Sequence, residues 1–310
     1  MRTGVLAWGP KELESLGISE TFTQRGHDNL FFEIDDIHCT DTEYGMEPTV
    51  CGRPLRDFDV IVSRAKVAHE NWRENVERLF LLSSVPEVLL LDPVDVHMAA
   101  ACKFTMIHRL TRAGVPVPPT RACRSLDDIA AACDHWGAIV LKPSSGFGGH
   151  GVERFLHGLT EEATAKASAL LATYGALMCQ PYLEHEGDVR VTVVGDSASA
   201  CVHAHTAGEH WRPHLHTPGT PRARNAVERI DPPPHLVELA VRATRAVGLS
   251  TSGVDILYHR GEPVVIEVNN CPGWDGDAFD AESRSLVDRH VVEYAERRFQ
   301  AERGRPRREP

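Results

Sequence analysis

Residues 138–152 read AIVLKPSSGFGGHGV and form the most informative stretch of the chain. A predicted strand ends at Lys142, and four of the six positions from Gly146 to Gly151 are then glycine. Because glycine has no Cβ, the backbone N–H groups of such a loop can approach phosphate oxygens, and the lysine adds a point charge. The spacing matches neither the Walker pattern nor the dinucleotide fingerprint. By itself the stretch predicts either a polyphosphate cradle or an ordinary glycine-rich hairpin loop.

A predicted β-hairpin at 253–270, GVDILYHRGEPVVIEVNN, carries three oxygen donors. Asp255 and Glu267 lie twelve positions apart with Gly261 midway, which predicts a three-residue loop and places the two carboxylates opposite each other. Asn269 follows on the same face. Because opposed carboxylates repel, we expect a cation between them, and this donor set suits one or two Mg²⁺ ions. The alternative is a solvated strand face with ordinary acids.

A third segment, QPYLEHEGDVR at 180–190, begins with a strand that ends in a bend. The backbone at such a bend offers C=O and N–H groups that a purine could bind. Asp188 and Arg190 are two residues apart on an extended run, so they share a face and offer a hydroxyl acceptor beside an anion donor. Without the other motifs, the segment is equally well explained as a salt-bridged strand start.

Composition excludes several classes of function. The chain has 310 residues, of which 42% are apolar and 25% charged, as in ordinary globular proteins. With 33 basic and 44 acidic residues the net charge is −11, which disfavours nucleic acid and membrane surfaces as partners. Eight scattered cysteines without metal-type spacing predict reduced thiols and a cytoplasmic protein. The five lysines are few enough to be inspected singly: Lys11, Lys66, Lys103, Lys142 and Lys166.

Alternating strands and helices in the first ninety or so residues predict an α/β chain with a parallel sheet. Ligands gather at the carboxyl ends of such strands, so Arg64, after a predicted strand at 60–62, is a candidate for gripping an anionic substrate group. A surface salt bridge explains Arg64 equally well. One helix is predicted over 94–112 and a last helix over 283–299, before a basic tail at 301–310 that is predicted to be disordered.

Together the three motifs resemble the ATP-grasp superfamily, and within it the RimK-like branch and the LysX-type ligases. Glutathione synthetase and D-alanine–D-alanine ligase are more distant relatives. The resemblance covers about residues 1–300 and implies an ATP-grasp fold in which two α+β lobes clamp ATP. It implies an N-terminal parallel-sheet domain (1–92), a central lobe with the phosphate loop (93–178) and a C-terminal lobe with the metal site (179–300).

The resemblance also implies how ATP is held. By matching position, the ATP contacts would come from Lys103, Lys142, Ser145, Gly146, Gly148, Gly149, Gly151, Gln180, Pro181, Tyr182, Leu183 and Asp188. Asp188 would hold the ribose hydroxyls. Pro181 replaces the usual hinge glutamate and lacks an N–H, but the Gln180 carbonyl and the Leu183 N–H remain available to adenine.

Metal and catalytic roles are implied in the same way. The metal ligands would be Asp255, Glu267 and Asn269. They would hold Mg²⁺, with two ions expected and Mn²⁺ as the alternative. The catalytic residues would be Arg190, Arg212 and Lys142. Arg190 would stabilise the transferred phosphoryl group.

The chain departs from the family in a histidine-rich stretch, HAHTAGEHWRPHLHTPG at 203–219. His203 and His205 stand where the family has arginines, and His214 replaces an asparagine, whereas Arg212 keeps its place. With Arg64, these histidines are the expected substrate residues, and packing or solvent exposure is the alternative for each. The departure prevents the identity of the substrate from being carried across.

The implied reaction is amide formation, in which ATP converts a carboxylate into an acylphosphate and an amine displaces the phosphate. The enzyme would act on an amino acid, a peptide or a carrier-linked acid. Two alternatives keep the nucleotide site: a kinase that phosphorylates a small-molecule hydroxyl, and an ATP-sensing module without turnover. Homodimers and homotetramers are common in families of this kind, and either assembly is compatible with the resemblance.

Overall fold

The structure is a computed structural model that describes residues 1–43, 45–66, 72–145, 149–206, 227–274 and 278–304. These residues form a mixed α/β fold with one parallel sheet and three antiparallel sheets. The α/β class predicted from the sequence is thereby confirmed. Among the described helices, none combines the length and the apolar character needed to cross a membrane.

The N-terminal part begins with a parallel sheet. In chain order its elements are β1 (Arg2–Ala7), α1 (Leu13–Gln24), β2 (Asp28–Glu33), β3 (Ile37–Thr42), β4 (Gly45–Val50), β5 (Arg53–Pro54), β6 (Val60–Ser63), α2 (Trp72–Leu82) and β7 (Leu89–Leu91). Four strands pair in parallel, which confirms the predicted parallel sheet, and their order is β2-β1-β6-β7. The small antiparallel sheet β3-β4-β5 was not predicted, because its largely polar strands lack an apolar alternation.

The helix predicted over 94–112 is two helices, α3 (Val94–Ala101) and α4 (Lys103–Arg112), so that prediction is wrong. The helix is interrupted at Cys102, whose backbone is extended. Cys102 forms a β-bridge with Ser145, and the Lys103 N–H donates to the Ser144 carbonyl at 2.9 Å. The break therefore ties the start of α4 to the loop that follows the next lobe's central strand.

The central lobe packs two helices against an antiparallel sheet. Its elements are β8 (Arg121–Cys123), α5 (Leu126–Trp136), β9 (Ile139–Pro143), β10 (Glu153–Phe155), α6 (Glu161–Tyr174) and β11 (Leu177–Pro181), with sheet order β10-β9-β11-β8. The side chain of Ser125 caps α5 and that of Thr160 caps α6, each by accepting an N–H from the first turn. Because β11 runs through Pro181, we propose that the boundary between the lobes lies after that residue rather than at 178.

The C-terminal lobe is built on a five-stranded antiparallel sheet, β14-β13-β12-β15-β16. Its elements are β12 (Gly187–Val194), β13 (Ser197–His205), β14 (Val227–Arg229), α7 (Pro234–Val247), β15 (Thr251–His259), β16 (Glu262–Asn269) and α8 (Ala281–Arg303). One face packs with α4 and α7, and the other packs with α8 and the N-terminal sheet. Helix α8 continues past the predicted end at 299 into the predicted tail, and residues 305–310 of that tail lie outside the described ranges.

Candidate functional site

The hairpin of β15 and β16 positions the predicted metal ligands, but its turn and its second strand differ from the prediction. Its loop has two residues, Arg260 and Gly261, both with positive φ (53° and 83°), rather than three. This is the pattern of a type I′ turn. A bulge at Ile266 then adds one residue to β16, so Asp255 still pairs with Glu267. The predicted pairing is confirmed, and the predicted loop length is wrong.

Cations accompany both opposed carboxylates. Lys103 Nζ lies 2.6 Å from Glu267 Oε1. Arg190 donates from Nε and Nη2 to the two oxygens of Asp255, at 2.6 and 2.8 Å. Asn269 Nδ2 donates to Asp255 Oδ2 at 3.1 Å. These contacts offset the repulsion between the two acids and gather all five side chains into one charged cluster.

Lys142 lies in strand β9 and faces the same cluster. The pKa of Lys142 is lowered to about 8, mainly by burial and also by the nearby Lys103, against Glu267 and Asp255, which raise it. Near neutral pH the half-buried side chain therefore keeps most of its positive charge. A cation in this position is suited to a polyanionic ligand that enters the cleft.

One cavity of about 360 Å³ brings together most of the predicted site. The predicted residues that line it are Lys103, Lys142, Ser145, Gly149, Gln180, Pro181, Tyr182, Leu183, Asp188, Arg190, Asp255, Glu267 and Asn269. Gly151 lies outside this lining, at a φ of +69° where a Cβ would meet Pro143 at 2.8 Å. The predicted residues Gly146, Gly148, Arg212 and His214 lie outside the described residues.

Several apolar side chains line the cavity together with residues 180–183. Its walls include Val140, Met178, Leu257 and Ile266. Beside them, the guanidinium of Arg154 lies 5.0 Å from the centre of the Tyr182 ring and donates to its hydroxyl at 3.1 Å. Apolar side chains in a cavity that residues 180–183 also line suit a purine base.

Arg64 does not line the cavity, and its role in substrate binding stays a prediction. Its side chain is 4% exposed and pairs with Glu12, whose side chain is 1% exposed. Arg64 Nε donates to Glu12 Oε1 at 2.6 Å, and Nη2 donates to the carbonyl of Pro272 at 2.9 Å. The guanidinium also lies 4.5 Å from the centre of the Trp274 ring. Arg64 therefore joins the N-terminal sheet to the segment after β16.

His203 and His205 also lie away from the cavity, and their contact with substrate stays a prediction. Asp188 and Arg190 of β12 line the cavity, whereas Val189 between them belongs to the core under α7. His203 pairs directly with Val189, and directly paired residues share a face of the sheet. His205, two residues on, points to that same opposite face.

Lys66 and Cys271 are two of the lining residues that were not among the predicted site residues. Lys66 lines the cavity, and its Nζ lies 3.9 Å from the centre of the Trp8 ring. Three of the five lysines thus reach this cavity, and the scarcity of lysine was the one sequence signal for Lys66. Cys271 also lines it, but burial raises the pKa of its thiol to about 11. The thiol is therefore protonated near neutral pH and is a poor nucleophile.

Comparisons with known proteins agree with this fold. The model of the RimK-like ATP-grasp domain matches residues 100–294. The Probable alpha-L-glutamate ligase of Pseudomonas fluorescens (strain Pf0-1) is 29% identical over 286 residues, which are 89% of each chain. The RimK domain protein ATP-grasp from Sphaerobacter thermophilus DSM 20745 has a TM-score of 0.69 at 20% identity, covering 95% of this chain and 99% of its own. The ATP-grasp ligase PsnB, complexed with minimal precursor, Mg and ADP, has a TM-score of 0.69 at 16% identity, covering 95% and 98%. These structures share the fold.

Proposed function

This chain belongs to the RimK-like ATP-grasp family, and from that premise we propose that it is an ATP-dependent ligase that joins a carboxylate to an amine through an acylphosphate. The observation that carries the proposal is that a cationic and an acidic wall meet in one cavity. Lys103 of α4 and Lys142 of β9 line the cavity together with Asp255, Glu267 and Asn269 of the β15–β16 hairpin. Cations on one wall suit phosphate oxygens, and hard oxygen donors on the other suit a divalent metal ion.

The acidic wall fits Mg²⁺ by the chemistry of its donors, because carboxylate and amide oxygens are hard ligands. Asp255 pairs with Glu267 across the strands, and Asn269 is already in hydrogen-bond contact with Asp255. The three side chains lie on one face of the hairpin, so their oxygens could share an ion if Arg190 and Lys103 gave up part of their contacts and the Asn269 amide turned its oxygen toward it. We propose that they hold two Mg²⁺ ions together with the phosphates. When bound, Mg²⁺ supplies neutralisation of charge on the phosphoryl oxygens.

The ion pairs that line the cavity indicate which contacts would be replaced when a nucleotide binds. Lys103 would give up part of its contact with Glu267 to bind a phosphate oxygen, and the carboxylate would then be available to a metal ion. Lys142 adds a second cation from β9. Arg190 is held by two hydrogen bonds to Asp255, and this fixed orientation suits a group that stabilises charge developing on the transferred phosphoryl group.

The two organic substrates are a carboxylate and an amine, one of them an amino acid, a peptide or a carrier-linked acid. A carboxylate is a poor electrophile, and phosphorylation gives it a leaving group that the amine displaces. One curated relative is a probable alpha-L-glutamate ligase, so glutamate is the first amine to test. The eight unpaired thiols fit the reducing cytoplasm in which we propose that the reaction takes place.

A screen for ADP release tests the proposal. The protein is mixed with ATP, Mg²⁺ and a panel of amino acids and dipeptides, glutamate first, and the mass of any product is measured. We expect ADP release that requires both an acid and an amine, with a product whose mass is their sum less one water. A stable phosphorylated product would indicate a kinase instead, and ATP binding without ADP formation would indicate a sensing module.

A pair of variants on one strand controls the screen. Glu267→Ala removes a metal ligand and should abolish ADP formation. Glu262→Ala, at the exposed start of the same strand β16, should leave it unchanged. Equal activity of Glu267→Ala and the unmodified chain would contradict the proposed role of the cavity.

A further inference from the structure

A second group of metal-ligating side chains lies on the C-terminal sheet, on the face opposite the cavity. His203 and His205 are alternate residues of β13, and Glu228 of the edge strand β14 is paired directly with His203. Alternate strand residues share a face, and so do directly paired residues of adjacent strands. The sheet therefore brings two imidazoles and one carboxylate together without help from any loop.

The distances suit a single metal ion. The three ligand atoms all lie within 4.8 Å of one another. Glu228 Oε1 lies 3.1 Å from His205 Nε2 and 3.9 Å from His203 Nδ1. Tetrahedral zinc with bonds of 2.0–2.1 Å holds neighbouring ligand atoms about 3.3 Å apart. The observed separations lie on either side of that value, so small side-chain rotations suffice.

The exposure of the three side chains and the chemistry of their donor atoms also favour a metal ion. The side chains of His203, His205 and Glu228 are 30%, 41% and 59% exposed, so an ion can reach them from solvent. Two imidazoles and a carboxylate suit zinc-class ions better than Mg²⁺, which prefers oxygen ligands.

We propose that His203, His205 and Glu228 form a binding site for one divalent transition-metal ion of the zinc class, separate from the proposed nucleotide cleft. Three protein ligands leave a fourth position for water. The ion would cross-link β13 to β14, a three-residue strand whose residues are all exposed. These two strands lie on either side of residues 207–226 in the chain, so the site would fix both ends of that connection.

Zinc titration of the untagged, EDTA-treated protein tests the proposal. Calorimetry is run in excess Mg²⁺, which occupies oxygen-ligand sites. We expect one Zn²⁺ per chain, binding that is lost in His203→Ala/His205→Ala, and affinity that falls about tenfold or more in Glu228→Gln, since even outer-shell changes cost that much. His108→Ala, which removes an exposed histidine from α4, is the matched control and should bind as the unmodified chain does.

X-ray absorption of the zinc-loaded, unmodified chain gives a second reading that does not depend on the folding of any variant. We expect two imidazole ligands and an oxygen shell around the zinc. Absence of zinc binding in excess Mg²⁺ would overturn the proposal. So would unchanged binding by the folded double-alanine variant, or an absorption spectrum without imidazole ligands.

Discussion

Replacing Arg64 with methionine should lower the free energy of unfolding by about 3–5 kcal/mol, the usual cost of removing one partner from a buried ion pair. The change leaves the carboxylate of Glu12 buried without its guanidinium, and that side chain is only 1% exposed. It also removes the donor to the Pro272 carbonyl and the contact with the Trp274 ring. The prediction follows from the structural role that the ion pair gives to Arg64.

Urea unfolding of a double-mutant cycle measures this effect. Glu12→Gln keeps an acceptor for the Ser15 hydroxyl, which donates to Glu12 at 2.6 Å, but removes the charge. Because the double variant Glu12→Gln/Arg64→Met buries no unpaired charge, it should be more stable than the sum of the single changes implies, by about 2 kcal/mol. Arg245→Met is the matched control, since its ion pair with Asp196 is 63% and 71% exposed and should contribute little.

Two outcomes would refute this reasoning. One is strict additivity of the two changes, which would mean that Arg64 and Glu12 do not stabilise each other. The other is an Arg64→Met protein of unchanged stability whose KM for the carboxylate substrate rises. That result would return Arg64 to the substrate-binding role that its position after a strand suggests.

Two further predictions concern stability and activity. Burial raises the pKa of Asp92 to about 6, against hydrogen bonds from Ser250 that lower it, so this group stabilises the fold below its ordinary pKa of 3.8 and loses that contribution as the pH rises through 6. Urea unfolding should show that, as the pH rises from 3.8 to about 6, the free energy of unfolding of the unmodified chain falls by about 3 kcal/mol more than that of Asp92→Asn. Identical pH profiles of the two proteins would contradict the burial argument. A Cβ at Gly253 would lie 2.8 Å from Pro272 Cβ and 3.5 Å from Arg190 Cδ, so Gly253→Ala should reduce ADP formation several-fold in a protein that still folds, as measured by initial rate and circular dichroism. Full activity of that variant would show that the packing around Arg190 is tolerant.

Local patterns predicted the elements of the site but not all of its connections. The pairing of Asp255 with Glu267 is fixed by the hairpin, and it was predicted although the loop is one residue shorter than expected. The bulge at Ile266 compensates for the shorter loop. Apolar alternation does not reveal a bulge, because the extra residue is itself apolar.

Long-range contacts account for the features that the sequence did not reveal. The helix break at Cys102 depends on Ser144 and Ser145, which are some forty residues away in the chain. The face on which His203 lies depends on its register with β12, and no local pattern encodes that register. A two-residue alternation predicts which residues share a face of a strand, but not which face meets the cavity.

Calorimetric titration of ATP, with and without Mg²⁺, tests most directly whether this cavity clamps a metal-bound triphosphate. The unmodified chain should bind ATP more tightly with Mg²⁺ than without it. Lys142→Ala should weaken binding about tenfold or more in both conditions, as expected for a lost hydrogen bond to a charged group. Glu267→Gln, in contrast, should remove most of the dependence on Mg²⁺. ATP affinity that responds neither to Mg²⁺ nor to either substitution would contradict the assignment of this cavity.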